Sequence, residues 1–94
     1  MTLARINAEI AALLTIICTN PALSMTPARL DQLATLNGRR EALTFMESLP
    51  VEVQGRAARD AIANLTMNVG NLRGSEVAST MGALGVYGTF AKMA

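Results

Sequence analysis

Apolar residues at the start of the chain recur at Leu3, Ile6, Ile10, Leu13 or Leu14, and Ile17, in alternating steps of three and four. That spacing follows one side of a 3.6-residue turn and predicts a helix near 3–18 with a single apolar stripe. Thr2 is placed to cap it, Arg5 and Glu9 sit four apart on its polar side, and Asn20-Pro21 ends it. The seam is heptad-like, but a coiled coil needs at least three or four heptads, so none is predicted.

A connector, Pro21 to Pro27, closes on a helix start signal. Thr26 is the N-cap and Pro27 the first helical residue, where its missing N–H is no loss. Leu30, Leu33 and Leu36 line one side of a helix near 27–37, and Asn37-Gly38 has the composition of a C-cap. The expectation is a break or kink at Gly38 and a further helix near 39–49, built on Leu43, Met46 and Leu49. An alternative reading carries a single helix through to Leu49.

Pro50 opens a long helix near 51–72, with apolar or small residues at 51, 55, 58, 62, 65, 69 and 72. Glu52, Arg56 and Asp60 form an alternating-sign ladder that predicts a solvated side. After Arg73-Gly74, Ser75 is placed to cap a last helix near 76–91. No segment alternates as a strand would. The expected fold is therefore all-α: a single domain over 1–94, a compact bundle of four or five short helices with a glycine-bearing C-terminal segment.

Composition changes this picture in one respect. The chain is 51% hydrophobic and only 16% charged, against about 25% charged in an ordinary soluble domain. A domain of this size buries only about 60–70% of the area of its unfolded chain, so apolar side chains must remain outside any core that one copy can build. Large apolar patches mark contact with other chains or with membrane. With only Phe45, Tyr87 and Phe90 as aromatics, such contacts would be aliphatic, alanine- and glycine-based, as between closely packed helices.

Chemistry is mostly excluded. The chain has no His, no Trp and one Cys, which removes His-centred catalysis, most zinc sites and an internal disulfide. Its serines and Cys18 have no base to activate them, and no phosphate-binding loop is present. No catalytic, cofactor-binding or metal-binding residue is assigned, and no enzyme activity or small-molecule substrate is expected. Cys18 is read as a small buried hydrophobe. A net charge of +1, with Arg39-Arg40 beside Glu41 and Arg59 beside Asp60, gives no basic footprint, so no nucleic acid is expected. Asn64, Asn68 and Asn71 are read as a solvated helix flank rather than a binding edge, and Asn64-Leu65-Thr66 as a glycosylation match in an unsuitable helix interior.

The dense apolar run Ile10 to Cys18 is about half the length of a membrane-spanning helix. Glu9 is out of place in a leader ending near Ala22-Leu23-Ser24, so no cleaved signal is expected; an intracellular or virion location is favoured. The last feature is the uncharged run Val77 to Ala91, in which Gly82, Gly85 and Gly88 recur every three residues. Glycines in a helix each cost about 1 kcal/mol relative to Ala, so close packing is expected to compensate. The leading expectation is a non-catalytic assembly subunit, forming a homo-oligomer or part of a larger complex, with a virion capsid, neck or tail component as one form. Leu3, Ile6, Ile10, Leu13 and Ile17 would meet Ile62, Leu65 and Val69 within or between copies. The segment with Gly82, Gly85 and Gly88 would dock on a neighbour and be removable without loss of helicity. The alternatives are a small regulatory or inhibitory binder, of anti-defence or antitoxin type, and third a membrane-active helical protein.

Overall fold

The structure, a computed structural model, describes residues 2–20, 22 and 25–92. Among them the chain forms four α-helices and one 3-10 turn, with no strand. Helix α1 spans Leu3–Thr19, and the Thr2 hydroxyl accepts from the Arg5 N–H at 3.2 Å. Helix α2 spans Pro27–Glu47, with the Thr26 hydroxyl accepting from the Arg29 N–H at 3.3 Å. Both caps stand where the sequence places them. Pro21, Leu23 and Ser24, on which the expected stop and the leader-like site depend, lie outside the described residues.

Helix α3, Val51–Asn68, begins directly after Pro50. The turn before it is tied by one side chain. Gln54 Nε2 donates to the carbonyls of Met46, at 2.9 Å, and Leu49, at 3.1 Å, and the Met46 carbonyl also accepts from the Leu49 N–H at 3.1 Å. The α3 backbone tightens into a 3-10 turn over Val69–Asn71, so the α-helix is shorter than the 51–72 expected. Gly74 then adopts φ 59°, a left-handed conformation that favours glycine, and α4 runs Ser75–Lys92. Ser75 is thus the first residue of the helix rather than its cap.

Gly38 corrects the sequence reading. It is neither a break nor a C-cap: α2 passes through it without interruption, and Gly38 is buried. A Cβ added there would stand against the backbone of Ser79 in α4, 2.7 Å from its carbonyl carbon. Gly82 reciprocates, since a Cβ there would lie 3.0 Å from the carbonyl carbon of Thr35. Carbon atoms in ordinary contact sit about 3.5–4.0 Å apart. The two helices therefore cross backbone against backbone, each supplying a glycine where the other's peptide passes.

This crossing sets the arrangement of the rest. Helix α4 packs most extensively on α2 and next on α3, while α2 and α3 scarcely touch each other, and α1 lies against α2. Ile6, Ile10, Leu13 and Ile17 of α1, Leu36, Ala42 and Leu43 of α2, and Val86 of α4 form one buried cluster, with Leu3, Leu33, Ala83, Tyr87 and Phe90 packed on it. Met46 and Ala58 are also fully enclosed. The molecule measures 46 × 31 × 16 Å, flat in its shortest dimension.

Helix propensity alone makes Gly→Ala stabilising inside a helix, by about 1 kcal/mol. At Gly38 and Gly82 the sign is expected to reverse. Gly38→Ala and Gly82→Ala should each destabilise the fold by about 1–3 kcal/mol, the usual range for overpacking, seen as a lower urea midpoint. A raised midpoint for either variant would contradict the crossing.

Candidate interaction surface

Between Glu76 and Lys92, α4 carries no charge, so its sequence does not mark an inside and an outside. Its neighbours do. Gly82 and Val86 are buried, and Ala83, Tyr87 and Phe90 pack on the core. On the other side Val77, Met81, Gly85, Thr89 and Lys92 are exposed, Val77 at 42% and Met81 at 59%. A Cβ built on Gly85 or on Gly88 meets nothing within 4 Å. The two glycines thus leave a smooth, open stretch of helix beside a projecting methionine.

The candidate packing residues separate into three groups. Ile6, Ile10, Leu13 and Ile17 are buried and Leu3 is half-buried, all in the intrachain core with α2 and α4. They do not join Ile62 and Leu65, which are half-buried on α3, or Val69, which is 46% exposed. The α1 stripe thus has its partner inside the chain, on α2, because that helix and Val86 present the apolar surface beside it. Of the three glycines, Gly82 is spent on the crossing with α2, whereas Gly85 and Gly88 remain open. The C-terminal segment is therefore no appendage. Removing residues 75–94 would take away the helix on which α2 and α3 both pack, so helical circular dichroism is expected to fall with that truncation.

Sequence reasoning missed Val77 and Met81, which only become distinctive once the opposite side of α4 is covered. It also misplaced Cys18. That residue is exposed, on a part of α1 where Leu14 and Ile16 are 42% and 47% exposed. It flanks the buried stripe, and the surrounding Ala and Thr residues hide the difference between flank and interior. Asn64, Asn68 and Asn71 are exposed, and Asn68 Nδ2 donates to the Asn64 carbonyl at 2.9 Å, so that flank bonds its own helix. Glu52, Arg56 and Asp60 are exposed, as the ladder predicts.

Polar chemistry is sparse in the interior. Among the described residues no buried side-chain nitrogen or oxygen lacks a hydrogen-bond partner, and no group of three His, Cys, Asp or Glu side chains could hold a metal ion. No described helix is long and apolar enough to cross a membrane. A groove between α1 and α2, lined by Glu9, Leu13, Ile16, Leu36 and Arg39 among others, is open to solvent along its length. Its one acid and one base suit water as well as any ligand.

Tyr87 is the exception in charge. Burial lifts its phenol above the ordinary value of 10.0, and the nearby Glu41 carboxylate adds to the effect by opposing a second negative charge. The folded protein holds this proton more tightly than the unfolded chain does. The stability that the neutral phenol contributes is fully present below pH 10, and is lost as the pH rises through the elevated folded value. Tyr87 is the single tyrosine and there is no tryptophan, so tyrosinate absorbance reads this group alone. Its titration midpoint is expected above that of the unfolded chain in denaturant, and Tyr87→Phe should flatten the alkaline fall in thermal midpoint. Coincident midpoints in the folded and unfolded protein would refute the assignment.

Compared with known proteins, the chain matches no family model, no curated protein and no solved structure.

Proposed function

We propose that this chain is a non-catalytic assembly subunit that associates with further copies of itself through aliphatic and glycine-bearing helix surface. The observation that carries this reading is a surplus of exposed area. One copy exposes 6075 Å², whereas a folded monomer of 9.9 kDa is expected to expose about 5,200 Å². The surplus accompanies a radius of gyration of 14.5 Å, above the ~13 Å of a compact domain of about 100 residues.

The quality of the surface supports the same reading. Val51, Met67 and Met81 are each more than half exposed, and Leu14, Ile16, Phe45 and Val77 more than two-fifths. Such side chains gain about 25 cal/mol for each Å² of apolar area removed from water, and association is the available route once the chain's own core is full. A shell, neck or tail component of a virion is one setting for such a subunit, and its role there is to pack and hold position.

Light scattering across a concentration series tests this directly. In detergent-free buffer the native mass is expected at twice 9.9 kDa or a higher multiple, falling only on strong dilution. A mass that stays at one chain throughout the series would sink the reading.

A further inference from the structure

We propose that Met46 is an oxidation-sensitive latch of the fold. A peroxide that reaches its thioether turns a passing opening of the α2–α3 turn into a lasting one, whereas Met25, Met67 and Met81 take up the same oxidant at the surface and leave the fold intact. Burial, position and hydrogen bonding carry this assignment.

The four described methionines divide by exposure. Met67 is 80% exposed, Met81 59% and Met25 54%, while Met46 is 0% exposed. A thioether reacts with hydrogen peroxide by giving a sulfur lone pair to one peroxide oxygen. The O–O bond breaks and an S–O bond forms, and the other oxygen leaves as water after taking up the proton of the transferred one; sulfur is oxidised and the peroxide reduced. Peroxide must touch the sulfur, so the three outer methionines react in the folded chain and Met46 reacts when the chain opens around it.

Position sets Met46 apart as well. The largest fully buried side chains are Ile6, Met46 and Val86, and of these Ile6 and Val86 belong to the main cluster while Met46 does not. Met46 lies in the last turn of α2, beside the chain reversal into α3. From Thr44 to Gln54 no other residue is buried, and α2 and α3 scarcely touch beyond this turn. The burial of one thioether side chain is thus what closes this end of the molecule.

The hydrogen bonds there leave no provision for an added oxygen. A sulfoxide oxygen is polar and needs a donor once it is taken out of water. Two side-chain donors serve the turn, and both are committed. Gln54 Nε2 gives its two hydrogens to the Met46 and Leu49 carbonyls, and Ser48 Oγ gives its one to the Phe45 carbonyl at 2.6 Å. Returning the sulfoxide to the interior either takes a donor from one of these bonds or buries an unsatisfied oxygen, and it also overfills a fully enclosed site. At Met67, Met81 and Met25 water supplies the bond.

Peroxide oxidation followed residue by residue with peptide mass spectrometry tests this, in a Cys18→Ser background that removes the competing thiol. In the folded chain Met46 should oxidise at least about a hundredfold more slowly than Met67. Urea below the unfolding midpoint should speed Met46 and leave the rates at Met25, Met67 and Met81 unchanged. After peroxide is removed and the urea diluted, chains carrying Met46 sulfoxide should fail to regain their helical circular dichroism, whereas chains oxidised elsewhere regain it. Met46→Leu, a swap that conserves volume, should refold after the same treatment. Oxidation of Met46 as fast as Met67 in the folded chain overturns the proposal, and so does a Met46 sulfoxide that refolds with an unchanged thermal midpoint. Both of these readings are made on the natural residue, so they stand whether or not the leucine variant folds.

Discussion

Two peptide groups that pass each other without an intervening side chain determine how this chain folds. Gly38 lies under Ser79 and Gly82 under Thr35, so α2 and α4 approach more closely than helices separated by side chains, which keep their axes about 8–10 Å apart. Everything else is arranged around this pair. Helix α1 adds its isoleucine and leucine stripe along α2, and α3 returns from the Gln54-tied turn to lie on the other side of α4. With so few large side chains available, close backbone approach supplies dispersion contacts that a leucine-rich core would otherwise provide.

The same economy explains the surface. A chain 51% hydrophobic and 16% charged could in principle bury more by stacking its helices two deep. The glycine crossing instead leaves a flat molecule, 16 Å in its shortest dimension. On α4 the outward side chains are Val77, Met81, Thr89 and Lys92, with Gly85 among them, so this side of the helix has few groups to hold water. The apolar surplus and the flat shape have a common origin.

Much of the fold was legible because its signals are local. The α1 stripe, the Thr26-Pro27 start, the Pro50 boundary and the solvated Glu52–Arg56–Asp60 edge depend on residues within one or two turns of each other. Gly38 was not legible in that way. Glycine after asparagine is what a helix end requires, and it is also what a close crossing requires; the deciding residues, Ser79 and Gly82, lie far along the chain. The two sides of α4 were hidden for a related reason. A helix with almost no charged residues, its few hydroxyls scattered around it, gives periodicity little to measure, so Gly82 and Gly85 look equivalent until α2 is in place. Cys18 was misjudged because apolar character was taken as burial, and on a chain with this composition that inference is weakest.

Helix α1 has a role that its position at the edge conceals. It meets the rest of the chain along a single stripe, and that stripe completes the cluster containing Leu36, Leu43 and Val86. Local opening of α1, with the glycine crossing still closed, would uncover those three residues together with its own Ile6, Ile10, Leu13 and Ile17. The exposed apolar area would then grow on both the helix and the surface it leaves. Docked, helix α1 keeps that apolar area from water, and the expected consequence of its undocking is aggregation.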